Sequence, residues 1–361
     1  MADKTVYILG AGFSKEAGAP SQEELVKKIF EIATNNPNEF QPKYIDEFQK
    51  FLKDTLCIPE NLHNKIPLED IFTPLDRCII DNISFRELDV KKTIEIRELI
   101  YYLIGKTMDF ILKGSVTKDY IDKFAKYIIK KSSVRKNYKY SIDSVSVIST
   151  NWDILLDNSI ESEINSNYHG KAVVDYCCDI NSFDTNSQFA VLGRGGFNIK
   201  LLKLHGSLNW LQCPRCLRAY VVFHNKIAVT QYDAHNTCRH CDNNFEKQKS
   251  HELISNLIMP TYLKNFSNPQ YKMIWQNAGI ELSEATKIVF IGYSLPQADF
   301  EMRQLLSRMI RKDVIIEVVD YGKKSTNKIQ KTEERYNVFF GDREPTFHLK
   351  GARNYIENNC N

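Results

Sequence analysis

Short apolar runs, each closed by glycine or small polar residues, set the pattern of this chain. Thr5-Val6-Tyr7-Ile8-Leu9 is β-branched and apolar and ends at Gly10-Ala11-Gly12, which predicts a buried strand leading into a tight turn. Three further runs share this character. Val145-Ser146-Val147-Ile148 precedes Ser149-Thr150-Asn151, Lys287-Ile288-Val289-Phe290-Ile291 precedes Gly292, and the run from Val314 to Val319 precedes Asp320. Runs of this kind, separated by helical stretches, predict an α/β fold with a doubly wound parallel sheet. Ligands of such sheets sit at the carboxyl ends of the strands, so chemistry is expected in the residues just beyond each run.

Helical periodicity fills the long stretch between the first two runs. Ser21-Gln22-Glu23-Glu24 is an S-x-x-E capping box that predicts a helix to about Thr34, stopped by Asn35-Asn36-Pro37-Asn38. Ile96, Leu99, Ile100, Leu103, Ile104, Met108 and Ile111 form one helical stripe, and Tyr120, Phe124, Tyr127 and Ile128 form another. We expect this stretch to be a helical insertion packed on the sheet or on another subunit. The Asn/Ser-rich segment Asn181–Ser187 is expected to be a loop.

Composition narrows the functional classes. At ~100–200 residues per domain, 361 residues suggest two or three structural units. Apolar residues at 43% and charged residues at 26% are ordinary for a globular protein. Lys+Arg 48 against Asp+Glu 45 leaves a net charge of +3, which argues against direct nucleic-acid binding as the main task. No apolar run approaches the ~20 residues of a membrane span. Met1-Ala2-Asp3-Lys4 leads straight into the first strand pattern, so no signal peptide and a cytoplasmic location are expected. In a reducing compartment the nine cysteines, four of them in two C-x-x-C pairs, favour metal binding over disulfides.

Five motifs carry candidate chemistry. The segment from Gly10 to Pro20 could bring backbone N–H groups to a pyrophosphate, or could be a strand-to-helix turn that needs positive φ. It is not the dinucleotide fingerprint G-x-G-x-x-G, whose third glycine would fall at Lys15. Thr150-Asn151-Trp152-Asp153 offers an amide and a carboxylate beyond the second strand, or a helix N-cap before Ile154-Leu155-Leu156. His205, in Lys203-Leu204-His205-Gly206-Ser207, follows a short strand from Leu201 to Leu204 and is either a base or a structural turn residue. Cys213, Cys216, Cys238 and Cys241 form two knuckles suited to a closed four-thiolate Zn2+ site, which is structural because no position stays open for water. Gly292-Tyr293-Ser294-Leu295-Pro296 suits a nucleotide, or a turn into a helix that begins near Asp299.

In this order, G-A-G-x-S, T-x-N-x-D, H-G, C-x-x-C…C-x-x-C and G-x-S-L, the motifs resemble the sirtuin family. The resemblance covers part of Thr5 to Phe30 and then Val145 to Asp320. It implies a Rossmann-like parallel sheet in residues 1–21 and 140–350, a helical insertion at 22–139 and a zinc module at 211–250. It implies that Gly10, Ala11, Gly12, Phe13, Ser14 and Pro20 belong to the NAD+ loop, with Gly10, Ala11, Gly12 and Ser14 on the pyrophosphate. Asn151 and Asp153 would face the nicotinamide ribose and the carboxamide, and His205 would be the catalytic base. Gly292, Tyr293 and Ser294 would lie on the adenosine side, and Asp320 on the adenine ribose.

The sequence departs from that family in two places. Pro20 runs into the helix cap at Ser21–Glu24 where sirtuins have Asp-Phe-Arg, and Leu257–Lys264 lacks the Val-x-Phe-Gly-Glu strand that pairs with an acyl-lysine peptide. With those departures, the segments Phe13–Ser21 and Gly292–Asp299 are similar to bacterial sirtuin-like NAD+ hydrolases of antiphage defence, and Pro67–Phe72 less specifically so. The resemblance thus implies an NAD+ glycohydrolase that is a homo-oligomer, or acts with a partner sensor or ATPase, since the chain has no room for a large sensor of its own. An NAD-dependent protein deacylase and a non-catalytic NAD or ADP-ribose sensor are the alternatives.

Overall fold

The computed structural model describes residues 3–113, 117–134, 143–185, 188–245, 251–259, 268–322 and 327–361. Its strands are β1 Thr5–Leu9, β2 Val145–Ser149, β3 Ala172–Asp175, β4 Ile180–Ser182, β5 Phe197–Lys203 and β6 Gly206–Gln212. They continue as β7 Ala219–Val221, β8 Ile254–Leu257, β9 Lys287–Ile291, β10 Ile315–Val319 and β11 Thr346–His348. Seven of them form one parallel sheet in the order β11-β10-β9-β1-β2-β5-β3. The fold is α/β, with the doubly wound sheet expected from the apolar runs. From the central β1 the chain crosses first to β2 on one side and later to β9 on the other. That makes β1/β9 the topological switch point, where such sheets leave a crevice.

Register aligns the strand ends in one row. Leu9 pairs with both Ser149 and Ile291, Ile291 with Val319, and Ser149 with Lys203. Gly10, Thr150, Leu204, Gly292 and Asp320 are therefore the first residues beyond a common edge. Neighbouring strands lie ~4.8 Å apart, so side chains one or two positions past this row converge across strands.

The apolar side chains divide among three cores. The largest lies on the sheet and collects Val6, Ile8, Val147, Ile148, Val289 and Phe290 with helices Asp119–Ser133, Leu155–Asn167, Pro269–Glu284 and Phe300–Met309. A second joins helices Gln22–Asn35, Leu68–Asp81 and Val90–Leu112 through Ile29, Phe72, Leu99 and Ile104. The stretch expected as one helical insertion is thus divided in its packing. Its last described helix, Asp119–Ser133, lies on the sheet because the Tyr120 and Phe124 rings meet Phe13, and Phe124 meets Tyr7. The capping box is present: the Ser21 backbone N–H donates to Glu24 Oε2 at 2.8 Å, and the Ser21 hydroxyl at 2.6 Å.

A third, small core surrounds the cysteines beside a second sheet, β4-β7-β6-β8. Asn181 and Ser182 close β4, and Phe183–Thr185 bend away as a loop. Residues 186–187, the expected loss of the peptide-pairing strand over 260–264, and the boundaries expected at 139–140 and 250 lie outside the described residues. No helix among the described residues is long and apolar enough to cross a membrane.

Candidate functional site

The glycines beyond β1 and β9 are explained by each other. Gly10 is extended (φ −111°), and neither it nor Gly12 has positive φ, which corrects the turn anticipated from the sequence. Close approach is the reason instead. A Cβ on Gly10 would lie 2.6 Å from the Gly292 oxygen, and one on Gly12 2.6 Å from Gly292 Cα. The Gly12 N–H donates to that same oxygen at 2.9 Å. Gly292 does require the left-handed region (φ +64°), and its own Cβ would sit 2.2 Å from the Phe13 nitrogen. The two loops at the switch point are therefore locked backbone to backbone, and helix Ala11–Lys15 starts directly at the crevice.

Ser14, Asn151 and Asp153 come together beneath this lock. The Asn151 amide donates to the Gly10 carbonyl at 2.9 Å and reaches the Ser14 hydroxyl at 3.4 Å. Ser14 is also hydrogen-bonded to Asp153. Asp153 Oδ1 accepts from the Leu155 N–H at 3.1 Å, so the capping role weighed from the sequence is present as well. Burial pushes the Asp153 carboxyl above the usual aspartate range, against the Lys203 charge and the Ser14 hydrogen bond.

Lys203, the last residue of β5, was not singled out in the sequence. Its ammonium is fully buried, donates to the Asp153 carbonyl at 2.6 Å and pairs with Asp157 at 3.2 Å. Asp157 in turn accepts from the Tyr176 hydroxyl at 2.8 Å. A charge in the otherwise apolar run Leu201-Leu202-Lys203-Leu204 is the signal that could have found it, because an unpaired lysine there would be prohibitive.

His205 lies two residues past Lys203, as Asn151 lies two past Ser149, and the two row residues are paired across β2 and β5. It is 4% exposed. The Ile258 N–H donates to its carbonyl at 2.9 Å, while the Trp152 indole donates to the Ile258 carbonyl at 3.1 Å, so one residue ties both site loops. Gly206 must be glycine: its φ is +76°, and a Cβ would lie 2.1 Å from the Asn256 oxygen. The Nε2 atom of His205 faces Asp299 Oδ1 at 3.5 Å.

The remaining expected residues divide. The Phe13 and Tyr293 side chains belong to the core, Phe13 against Tyr120 and Phe124, and Tyr293 against Phe290. Apolar burial of the rings leaves these two residues only their backbones to offer a ligand. Ala11 is exposed at the crevice, and Ser294 is half-buried in the β9 loop. The Asp320 backbone is held by His348 and Gly351, and its carboxylate accepts from the Tyr321 N–H at 2.8 Å. Pro20 lines a cleft of about 450 Å³ with Lys15, Glu24 and Phe110, whose walls include neither Asn151 nor His205.

The four cysteines fit a metal. Their sulfurs lie within 4.8 Å of one another, with Cys213–Cys241 at 3.8 Å and Cys216–Cys238 at 3.6 Å. A zinc tetrahedron with bonds of ~2.3 Å has sulfur–sulfur edges of ~3.8 Å, whereas a disulfide would need ~2.05 Å. The Cys216 N–H points at Cys213 Sγ, as a knuckle requires. Burial raises the Cys238 thiol, but hydrogen bonds headed by that from Tyr220 hold it below its ordinary value. When bound, zinc ties the two knuckles together and offers no open position. Cys78 and Cys360 are buried, Cys57 is exposed, and burial pushes the Cys178 thiol up to about 12.

No family model matches the chain, and no curated protein matches it. Solved structures align along nearly its whole length. Sir2 bound to acetylated peptide is 13% identical, with 98% of this chain and 91% of that one covered and a TM-score of 0.41. Sir2 with p53 peptide and NAD+ is 14% identical over the same shares, with a TM-score of 0.40.

Proposed function

We propose that this chain cleaves the nicotinamide–ribose bond of NAD+ with water, releasing nicotinamide and ADP-ribose. One observation carries the reading above the others. Asn151 beyond β2 and the buried His205 beyond β5 stand at matched positions past one row of strand ends, with Asp153 two residues further along. The order of motifs that resembles sirtuins supports the choice of substrate.

The bond breaks with its electron pair leaving on nicotinamide and positive charge developing at the ribose. Asp153, buried and fixed by the Leu155 N–H, presents a carboxyl oxygen that suits it to accept from a carboxamide N–H. Asn151, fixed by the Gly10 carbonyl, positions the water or the ribose hydroxyls. His205 takes the proton that the water loses as its oxygen bonds to the ribose carbon. The segments Gly10–Ser14 and Gly292–Ser294, at a helix start and a switch point, border the place for the phosphates and the adenosine side. Asp320 serves the adenine ribose.

The similarity of Phe13–Ser21 and Gly292–Asp299 to the defence hydrolases extends the proposal to an NAD+-depleting antiphage effector, switched on by self-assembly or by a partner sensor or ATPase. The test is incubation of the purified chain with NAD+ and no peptide, at rising protein concentration, with products separated by chromatography. Nicotinamide and ADP-ribose should appear, and His205→Ala or Asn151→Ala should abolish them while circular dichroism stays unchanged. Turnover only with an acylated peptide would instead support a deacylase. Tight binding without product would support a sensor, and full turnover by both variants would remove the assignment.

A further inference from the structure

We infer that Asp299 is the positioning residue of His205: its carboxylate holds the Nε2 side of the imidazole and leaves Nδ1 as the basic nitrogen. The inference rests on the proposed hydrolysis and names a residue that the sequence marked only as the start of a helix. The imidazole and the carboxylate are both almost fully buried, and Nε2 and Oδ1 are 3.5 Å apart. That Nε2 is buried and makes no hydrogen bond among the described residues, and the carboxylate it faces at 3.5 Å, within ion-pair range, is that of Asp299. Such contacts in an enzyme without substrate are often long and tighten when substrate enters.

Asp299 is itself fixed. Its Oδ2 accepts from the Tyr293 hydroxyl at 2.7 Å, and the Tyr293 carbonyl accepts from the Tyr336 hydroxyl at 2.6 Å. Asp299 also opens helix Phe300–Met309, with its carbonyl accepting the Arg303 N–H at 3.0 Å, while the Arg303 guanidinium reaches back to the Leu295 carbonyl at 3.2 Å. The loop that begins with the Gly292 lock therefore ends on the carboxylate that faces the base. A carboxylate against one imidazole nitrogen fixes the tautomer and ring orientation and stabilises the imidazolium formed when the other nitrogen takes a proton.

The burial of Tyr293, which places its ring in the core, thus has a second reading: its hydroxyl orients Asp299.

Asp299→Asn tests this, because it keeps the size and the Tyr293 contact and removes the charge. We expect kcat for NAD+ to fall by roughly 10²–10⁴-fold with KM within about two-fold, and Asp299→Glu to recover part of the loss. Wild-type kcat in Asp299→Asn, beside a dead His205→Ala, would overturn this inference and leave the proposed hydrolysis standing. Full turnover by both His205→Ala and Asn151→Ala would overturn the hydrolysis assignment instead. A second measurement needs no turnover: long-range ¹⁵N–¹H spectra of histidine-labelled full chain, with His205 assigned by its loss in His205→Gln. The wild type should show His205 protonated at Nε2, and Asp299→Asn should shift both ring nitrogens. A spectrum unchanged by the substitution overturns the inference whatever the kinetics. Should Asp299→Asn fail to fold, Tyr293→Phe carries the same two readouts, with a smaller loss expected.

Discussion

The carboxyl edge of the parallel sheet and the cysteine module hold their polar groups in opposite ways. At the sheet edge, position comes from a large apolar core below and from backbone contacts as close as Gly12 to Gly292. In the module, the core has nine buried residues among those described, and three of them are cysteines whose sulfurs point at one another. A core that small supplies little stability, so the thiol cluster is what the module folds around. The sheet edge is held by its own core and backbone contacts, the module by its thiol cluster. The two meet in β6, which starts at Gly206 beside His205 and ends at Gln212 beside Cys213.

The strongest way to break this contrast is to remove the metal. Chelation, or Cys213→Ser with Cys238→Ser, should strip hydrogen-exchange protection from β7 and from the residues flanking the cysteines, while β1, β2 and β9 keep theirs. Structural zinc contributes ~10–16 kcal/mol in peptides of this kind, so the loss should be large. Full protection of β7 after metal removal would show that the module is as self-sufficient as the sheet. A smaller effect is expected inside the sheet edge. Lys203→Met leaves the Asp157 carboxylate buried against Tyr176 without its cation and should cost ~3–5 kcal/mol in denaturant unfolding. A neutral result there would mean that the buried pair does not hold the loop of Asp153.

The smallest effect sharpens the seam between the helical core and the module. Asp109, on helix Val90–Leu112, accepts from Lys226, just before helix Ile227–Ala234, at 2.9 Å and also pairs with Lys113. Burial raises its carboxyl, but the hydrogen bonds and charges of these two lysines win and hold it below the usual aspartate value. A lowered folded value means stabilisation that is present above the unfolded value of ~3.9 and lost as pH falls through the folded one. The melting midpoints of wild type and Asp109→Asn should therefore differ at neutral pH and converge in acid. A gap of constant size would remove the ion pair from the account.

What was legible in the sequence was local. The runs Thr5–Leu9 and Lys287–Ile291 read as strands because burial on both faces needs unbroken apolar residues, and Ser21 with Glu24 read as a cap because the partners lie three residues apart. The cysteine pairs were legible for the same reason. Illegible were relations between distant segments. Gly10 and Gly12 are glycine because of Gly292, and no property of the first loop alone says so. The rings of Phe13 and Tyr293 read as part of a binding loop, yet Phe13 is drawn into the core by Tyr120 and Phe124 of helix Asp119–Ser133, and Tyr293 by Phe290 of β9. Asp299 comes 94 positions after His205 in the chain, so only the fold brings the two together.

The Trp152 indole, tied to the Ile258 carbonyl, has one more consequence. The chain contains three tryptophans. Trp152 follows Asn151, Trp275 donates to the Leu204 carbonyl beside His205 at 3.1 Å, and Trp210 lies within β6 with its ring edge-on to Tyr176. None sits in the helical bundle of the second core's own helices or in the outer strands β10 and β11. The protein therefore carries a built-in optical probe: its three indoles lie in the loop beyond β2, in β6 and on helix Pro269–Glu284 where it touches the loop of His205, so a change of colour or brightness reports on the ground between the sheet edge and the cysteines.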